Sequence, residues 1–274
     1  MKKILGTLVL LLSLAVSAQT PNSTVPLTKE LADIKKRNVL VVAMNKKDNP
    51  PFYSGEGDDL RGIDVDIARR VAKVLGVPVE FRRDAESFAE VVEQVRAGKA
   101  DMAASKLSVT DPRLLTVRFS TPYVRLKQAM IINRLWLSQN NDGREVYQII
   151  REFDGRLSFI KSSSYDTFAR INFPKALYVP ETDWTIIINK VTEGTVAAAY
   201  RDEFEIKKIL FERPEASIST KTVTISDSFD NIAVAVRPDS VHLLAIVNYV
   251  IANDFNNLDV KKLMARYKAD TAKK

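Results

Sequence analysis

The sequence predicts an α/β protein built as two units with a cleft between them. Strand-like and helix-like segments alternate along most of the chain, the alternation falls into two successive series, and strand-like segments lead from one series to the other. At 274 residues the chain is long enough for one large domain or two modest ones, each with a core of its own. With 46% hydrophobic and 27% charged residues it has the composition of a globular protein, not a disordered one.

The first series opens with Asn38–Met44, an apolar run that reads as a buried strand, followed by a long loop to Gly62 rich in Asn, Pro, Gly and Asp. Ile67, Val71, Val74 and Leu75 then recur at helical spacing, with Asp64 and Asp66 in the first turn, where the helix dipole favours negative charge. Val77–Arg83 reads as a strand. Phe88, Val91, Val92 and Val95 mark a second amphipathic helix stopped by Gly98, and Asp101–Ser105 is a short strand. Such alternation argues for a largely parallel sheet.

The second series has strands at Leu126–Asn133, Arg156–Lys161, Ala176–Val179 and Val196–Tyr200, and helices at Ser164–Ile171, Asp183–Thr192 and Asp202–Phe211. A polar connection joins Asn133 to Asp154. Strand-like Lys221–Ile225 and Asn231–Arg237 then lead into two helices, one beginning near Pro238 and ending near Asn253, the other carrying Val260, Leu263, Met264 and Tyr267 on one face.

Residue counts exclude several chemistries. The chain has no cysteine, so disulfides, thiolate metal sites and cysteine nucleophiles are out, as is lipid attachment through cysteine. Its single histidine, His242, rules out any site needing two imidazoles and suits a structural or surface role. No metal or redox cofactor is implied. Lys2 and Lys3 precede the apolar run Ile4–Val16, and Val16-Ser17-Ala18 offers the small residues a signal peptidase reads. That run is too short to span a bilayer, which takes about 20 residues. Residues 1–18 are therefore expected to be a cleaved signal peptide, with 19–37 as an N-terminal arm of a soluble, exported periplasmic chain. Loss of Lys2 and Lys3 would lower the formal charge from +7 to +5. The remaining basic residues are interleaved with acids, without the concentrated patch that nucleic-acid binding requires.

Several segments together resemble the family 3 extracellular solute-binding proteins, the amino-acid-capturing components of ABC importers. Gly62-Ile63-Asp64-Val65-Asp66-Ile67, with Val71-Ala72 and Leu75 following, is similar to that family's signature. Asn49-Pro50-Pro51-Phe52 stands where the family has its Pro-Phe loop. Gly98-Lys99-Ala100-Asp101, Ser108-Val109-Thr110-Asp111-Pro112-Arg113 and Phe119-Ser120-Thr121-Pro122-Tyr123 resemble its later motifs, and Gly194–Glu203 resembles its second-lobe segment. The resemblance covers nearly the whole chain after the leader. It implies the type II periplasmic binding protein-like fold, with a ligand cleft between two lobes joined by a two-strand hinge. On that basis lobe 1 is expected to be discontinuous, 38–125 and 228–274, with lobe 2 formed by 126–227. The expected partners are a small amino-acid or carboxylate ligand and an inner-membrane permease, with the chain acting as a monomer.

The chemistry fits such a ligand. A guanidinium can hold a carboxylate bidentately, and the resemblance assigns that role to Arg113. It assigns the ammonium to Asp202, in the other lobe, so that a ligand bridging the two would close the cleft. Ser108 and Ser162-Ser163-Ser164 are candidates to complete the carboxylate's hydrogen bonds, and Phe88 matches a position that packs on the ligand. Plainer roles stand beside these: Asp202 can be a helix N-cap, and Phe88 can be core. Trp136 and Trp184 have no assignable role.

Departures from the family pattern bear on the ligand. Lys106 stands where many members have Gly or Ser, Lys46 and Asn49 stand where an acid and an aromatic are frequent, and Ser162 replaces a frequent Gly. Two lysines near the cleft mouth suggest a polar or acidic amino acid carrying extra negative charge. The main alternative is an exported cyclohexadienyl dehydratase on the same fold, for which Glu205, one helical step from Asp202, would be the proton donor.

Overall fold

The structure is a computed structural model describing residues 26–272. The expected signal peptide, residues 1–18, and the start of the expected arm, 19–25, lie outside the described residues. The final part of that arm is a helix, α1 (Lys29–Arg37), whose Leu31 and Ile34 are buried at helical spacing. Asn38 ends it in the left-handed region at φ 55°, a conformation Asn tolerates better than most residues.

The first lobe contains β1 (Leu40–Asn45), α2 (Ile63–Leu75), β2 (Val79–Ala85), α3 (Phe88–Arg96), β3 (Met102–Ser108), the short α4 (Asp111–Leu114) and β4 (Arg118–Phe119). β5 (Val124–Asn133) leads into the second lobe. There the expected polar connection holds two short helices, α5 (Arg134–Gln139) and α6 (Val146–Arg151). The alternation resumes with β6 (Arg156–Ile160), α7 (Ser164–Asn172), β7 (Leu177–Glu181), α8 (Trp184–Glu193), β8 (Ala198–Asp202), α9 (Glu203–Glu212) and the short α10 (Ala216–Ser219). β9 (Thr220–Val236) returns to the first lobe, which α11 (Val241–Asp254) and α12 (Val260–Thr271) complete.

The two strand segments expected at 221–225 and 231–237 are one continuous strand, β9. Through it the sheet runs across both lobes in the order β2-β1-β3-β9-β5-β8-β6-β7, with β4 also on β9. Pairing is parallel at the two ends, β1 with β2 and β3, and β6 with β7 and β8. It is antiparallel in the middle, around β5 and β9, so the expectation of a largely parallel sheet holds only for the outer strands. β5 and β9 lie side by side at the crossing, where the register shifts between Lys127 and Ala129. A bulge loosens and twists a ladder locally.

Each lobe packs helices on both sheet faces, and strand alternation divides the side chains between them. In β1, Leu40, Val42 and Met44 join the core under α2 and α11, while Val41 and Ala43 face α3. In the second lobe, Met130 and Ile132 pack with Phe153, Phe159 and Tyr200, whereas Ala129 and Ile131 face α8 and α9. Trp136 packs against the first of these two clusters. Phe204 of α9 reaches across into the first lobe's core, edge-on to Phe52 at 5.8 Å and to Tyr267 at 6.3 Å.

Candidate functional site

The lobes face each other across a cleft with two outer cavities and a smaller inner one. One outer cavity, of about 370 Å3, lies between α3, the Thr110–Thr116 segment and the start of α7. The other, of about 430 Å3, is lined by Asn49, Tyr53 and Phe88 from the first lobe and by Ser162, Trp184 and Arg201 from the second. The inner cavity, of about 20 Å3, is bounded by Phe88, Lys106, Ser108, Arg113, Ser163, Ser164, Tyr165, Arg201, Asp202 and Asp230. Arg113, Asp202, Ser108, Lys106, Phe88, Ser162, Ser163, Ser164 and Asn49 thus all line one or more of these spaces.

Local chemistry positions these groups. Arg113 sits in α4, which Asp111-Pro112 opens, with proline in the first turn, where its missing N–H costs nothing. Its NH1 donates to the Ser108 carbonyl at 2.9 Å, and among the described residues the guanidinium has no ion pair. Burial lowers its pKa from the usual arginine value, and the field of Asp230 partly restores it. Ser163 caps α7 by accepting from the Tyr165 N–H, and Ser162 precedes it at φ 58°, the left-handed region that glycine adopts freely. Ser108 Oγ donates to Asp230 Oδ2 at 3.0 Å and lies 2.8 Å from Ser164 Oγ, which joins the lobes.

Lys106 is the main correction to the sequence reading. Its side chain does not stand free near the mouth: it is 3% exposed, and its Nζ donates to Asp202 Oδ2 at 2.9 Å and to Glu205 Oε1 at 2.6 Å, both carboxylates being equally buried. The rings of Phe52 and Phe204 lie 5.1 and 5.3 Å from the same ammonium, within cation–π range. Its backbone takes φ 47° and is held by Asp64, whose Oδ2 accepts the Lys106 N–H at 2.6 Å and whose Oδ1 accepts from the Tyr123 hydroxyl. Asp64 is therefore more than a helix-start charge. Burial pushes its pKa up to about 7, against the pull of those hydrogen bonds. Lys46 is 61% exposed and pairs with Glu86 at 2.8 Å, so neither lysine is a spare cation awaiting an anionic side chain.

Both oxygens of Asp202 are in use: Oδ1 caps α9 through the Glu205 N–H at 3.0 Å, and Oδ2 holds Lys106. The N-cap role is real, and the ammonium that meets Asp202 belongs to the protein. Burial alone would raise Glu205, but Lys106, Lys208 and Arg201 hold it below the usual carboxylate range. These three cations favour its charged form, whereas the proton donor of a dehydratase must hold its proton.

Several cleft groups went unremarked in the sequence. Arg201 is held charged against burial by Glu205 and Asp202 and lies over the Trp184 ring at 5.3 Å. Trp184 lines the larger outer cavity, its indole N–H without a partner among the described residues. Asp230 sits on β9 where the strands cross between lobes; burial and the Asp202 charge push its pKa up to about 6. The available signal for it was an acid placed immediately before the strand-like segment Asn231–Arg237.

Comparison with known proteins agrees with this geometry. The profile of the bacterial extracellular solute-binding proteins, family 3, matches residues 40–270. A probable histidine-binding protein of Campylobacter jejuni is 25% identical over 60% of this chain and 60% of its own. A membrane-bound lytic murein transglycosylase F of Idiomarina loihiensis is 28% identical over 62% of this chain but only 35% of its own. The chain thus spans less than two thirds of these curated relatives. Among solved structures, an amino-acid ABC transporter substrate-binding protein of Streptococcus pneumoniae bound to L-arginine superposes with a TM-score of 0.68, at 27% identity, over 87% of this chain and 98% of that one. Two lobes with a polar cleft between them and a match across nearly the whole described length place the chain in the bacterial extracellular solute-binding proteins, family 3.

Proposed function

We propose that the chain is an exported receptor that captures a small polar amino acid or amino-acid-like carboxylate in this cleft and delivers it to the permease of an ABC importer. The observation that carries this reading is Arg113: a half-buried guanidinium that borders two of the cleft's cavities, holds one backbone carbonyl and has no ion pair among the described residues. A carboxylate is its natural complement, because two parallel charge-assisted bonds satisfy both groups. Relatives that bind arginine or histidine support an amino-acid ligand in general terms. An acidic side chain loses its main argument once Lys106 and Lys46 are both paired.

Capture would draw 38–125 with 228–274 onto 126–227, with β5 and β9 as the flexing pair. Among the described residues no helix is long and apolar enough to cross a membrane. A thermal-shift panel of the common L-amino acids tests the reading. A ligand that binds only the folded state stabilises it by about 2.7 kcal/mol at a hundredfold excess over Kd. For a protein of this size that is a rise of about 5–10 °C. Absence of any rise across the panel would overturn the proposal.

A further inference from the structure

If the cleft takes a small carboxylate, as proposed above, one buried carboxylate beside its inner cavity has an oxygen with room for a further donor. Among the described residues Asp230 Oδ1 makes no well-formed hydrogen bond; the neighbouring Tyr165 hydroxyl lowers the Asp230 pKa without closing one, and both residues line the inner cavity beside Arg113, Ser163 and Ser164. Asp230 is 1% exposed, and its other oxygen already accepts from Ser108. Buried polar atoms are nearly always paired in folded proteins, so a half-satisfied carboxylate facing a cavity marks a place for an outside group. About 20 Å3 has room for one water-sized group, and an ammonium or hydroxyl is of that size.

Asp202 offers no such place. Its oxygens are committed to the α9 cap and to Lys106, and that tethered ammonium is further held by Glu205 and two aromatic rings. A free ammonium would have to displace one that is covalently present at high effective concentration. Arg113 and Asp230 are the oppositely charged pair on the inner cavity that make no ion pair among the described residues. A carboxylate with a donor on the neighbouring carbon complements both at once.

We propose that Asp230, on the strand that crosses between the lobes, is the ligand-facing acid of this cleft: it takes the amino or hydroxyl group of a small 2-amino or 2-hydroxy acid whose carboxylate lies on Arg113, while Lys106 fills the place at Asp202. A 2-oxo acid, with no donor on that carbon, should bind much less well than its amino counterpart.

The test uses the purified protein, its Asp230→Asn, Asp202→Asn and Arg113→Ala variants, and paired probes, the common L-amino acids and their 2-oxo analogues. Asp230→Asn removes a buried, half-paired charge, so its unliganded midpoint should rise. Its affinity for the amino acid should fall about tenfold or more, with the oxo acid little changed. Asp202→Asn should lower the unliganded midpoint, because Lys106 loses a partner. The proposal is overturned if Asp230→Asn lowers the unliganded midpoint, or if the preference for amino over oxo acid survives in that variant. A wild type that answers to no probe would instead bring down the binding reading. The sign of the Asp230→Asn midpoint change would then still judge Asp230: a rise marks a charge kept at a cost to stability, and a fall marks a structural acid.

Discussion

Lys106 and Arg113 lie seven residues apart at the end of β3 and in α4, both turned from the first lobe toward the second. One has two carboxylates and two aromatic rings around its charge; the other has a single backbone carbonyl. A buried cation that is fully paired belongs to the protein's own architecture. One that is half-buried and unpaired carries a desolvation cost unless something else completes it. The same contrast separates two acids across the cleft, Asp202 with both oxygens occupied and Asp230 with one left over. On the proposed reading, saturated groups hold the lobes together and unsaturated ones meet the ligand.

The largest expected effect comes from breaking the saturated cluster. Lys106→Met leaves Asp202 and Glu205 buried without their shared cation, and loss of one partner of a buried pair costs about 3–5 kcal/mol. Urea unfolding should show the midpoint falling accordingly. A change under about 1 kcal/mol would mean that Arg201 and Lys208 suffice for both carboxylates.

Stability should also fall as pH rises from about 4 to about 7. Asp64 and Asp230 have folded pKa values of about 7 and about 6, above their usual unfolded value near 3.8. A raised acid stabilises the fold below its unfolded pKa and loses that contribution as pH climbs through the folded one. Asp230 alone contributes on the order of 3 kcal/mol to this slope. Glu205, lowered in the fold, works with opposite sign, its contribution being lost only in strong acid. Unfolding midpoints of wild type and Asp230→Asn, measured across this range, should converge at pH 4 and separate by pH 6.5, with the variant the more stable.

Smaller changes sharpen the contrast. Tyr123→Phe removes one hydroxyl from Asp64, which positions the Lys106 backbone, and should cost about 1–2 kcal/mol by denaturant titration. Lys46→Ala, at an exposed pair, should change stability by under about 1 kcal/mol and ligand affinity by under about twofold. A larger loss of affinity there would restore the acidic-ligand reading.

Much of the fold was legible in the sequence because each lobe's core follows simple periods. Val91, Val92 and Val95 are buried on α3, and Ser164, Asp183 and Asp202 stand within a residue of real helix starts. The short helices α5 and α6 were missed because each is only six residues long and buries little, Leu137 in one and Ile149 with Ile150 in the other. β9 read as two strands because its middle, around Asp227 and Ser228, is polar and exposed where it passes between the lobes. Ser108 and Arg113 fall in one matching motif, and the fold gathers them with Phe88 and the Ser162–Ser164 turn around the same cavities. What the sequence did not show was pairing. Lys106 and Asp202 are 96 residues apart, and a lysine just past the expected strand end at Ser105 resembles any solvated lysine until the fold extends β3 through it and brings Asp202 and Glu205 against it.

The account turns on Arg113 being kept for a ligand carboxylate. The most direct measurement is titration calorimetry of wild type and Arg113→Ala with whichever L-amino acid gives the largest thermal shift. A saturable heat in wild type, weakened about a hundredfold or more in Arg113→Ala with the unliganded midpoint nearly unchanged, is the expected result. Equal affinity in the two proteins would contradict it, and would mean that the guanidinium only supports the Ser108 carbonyl it touches.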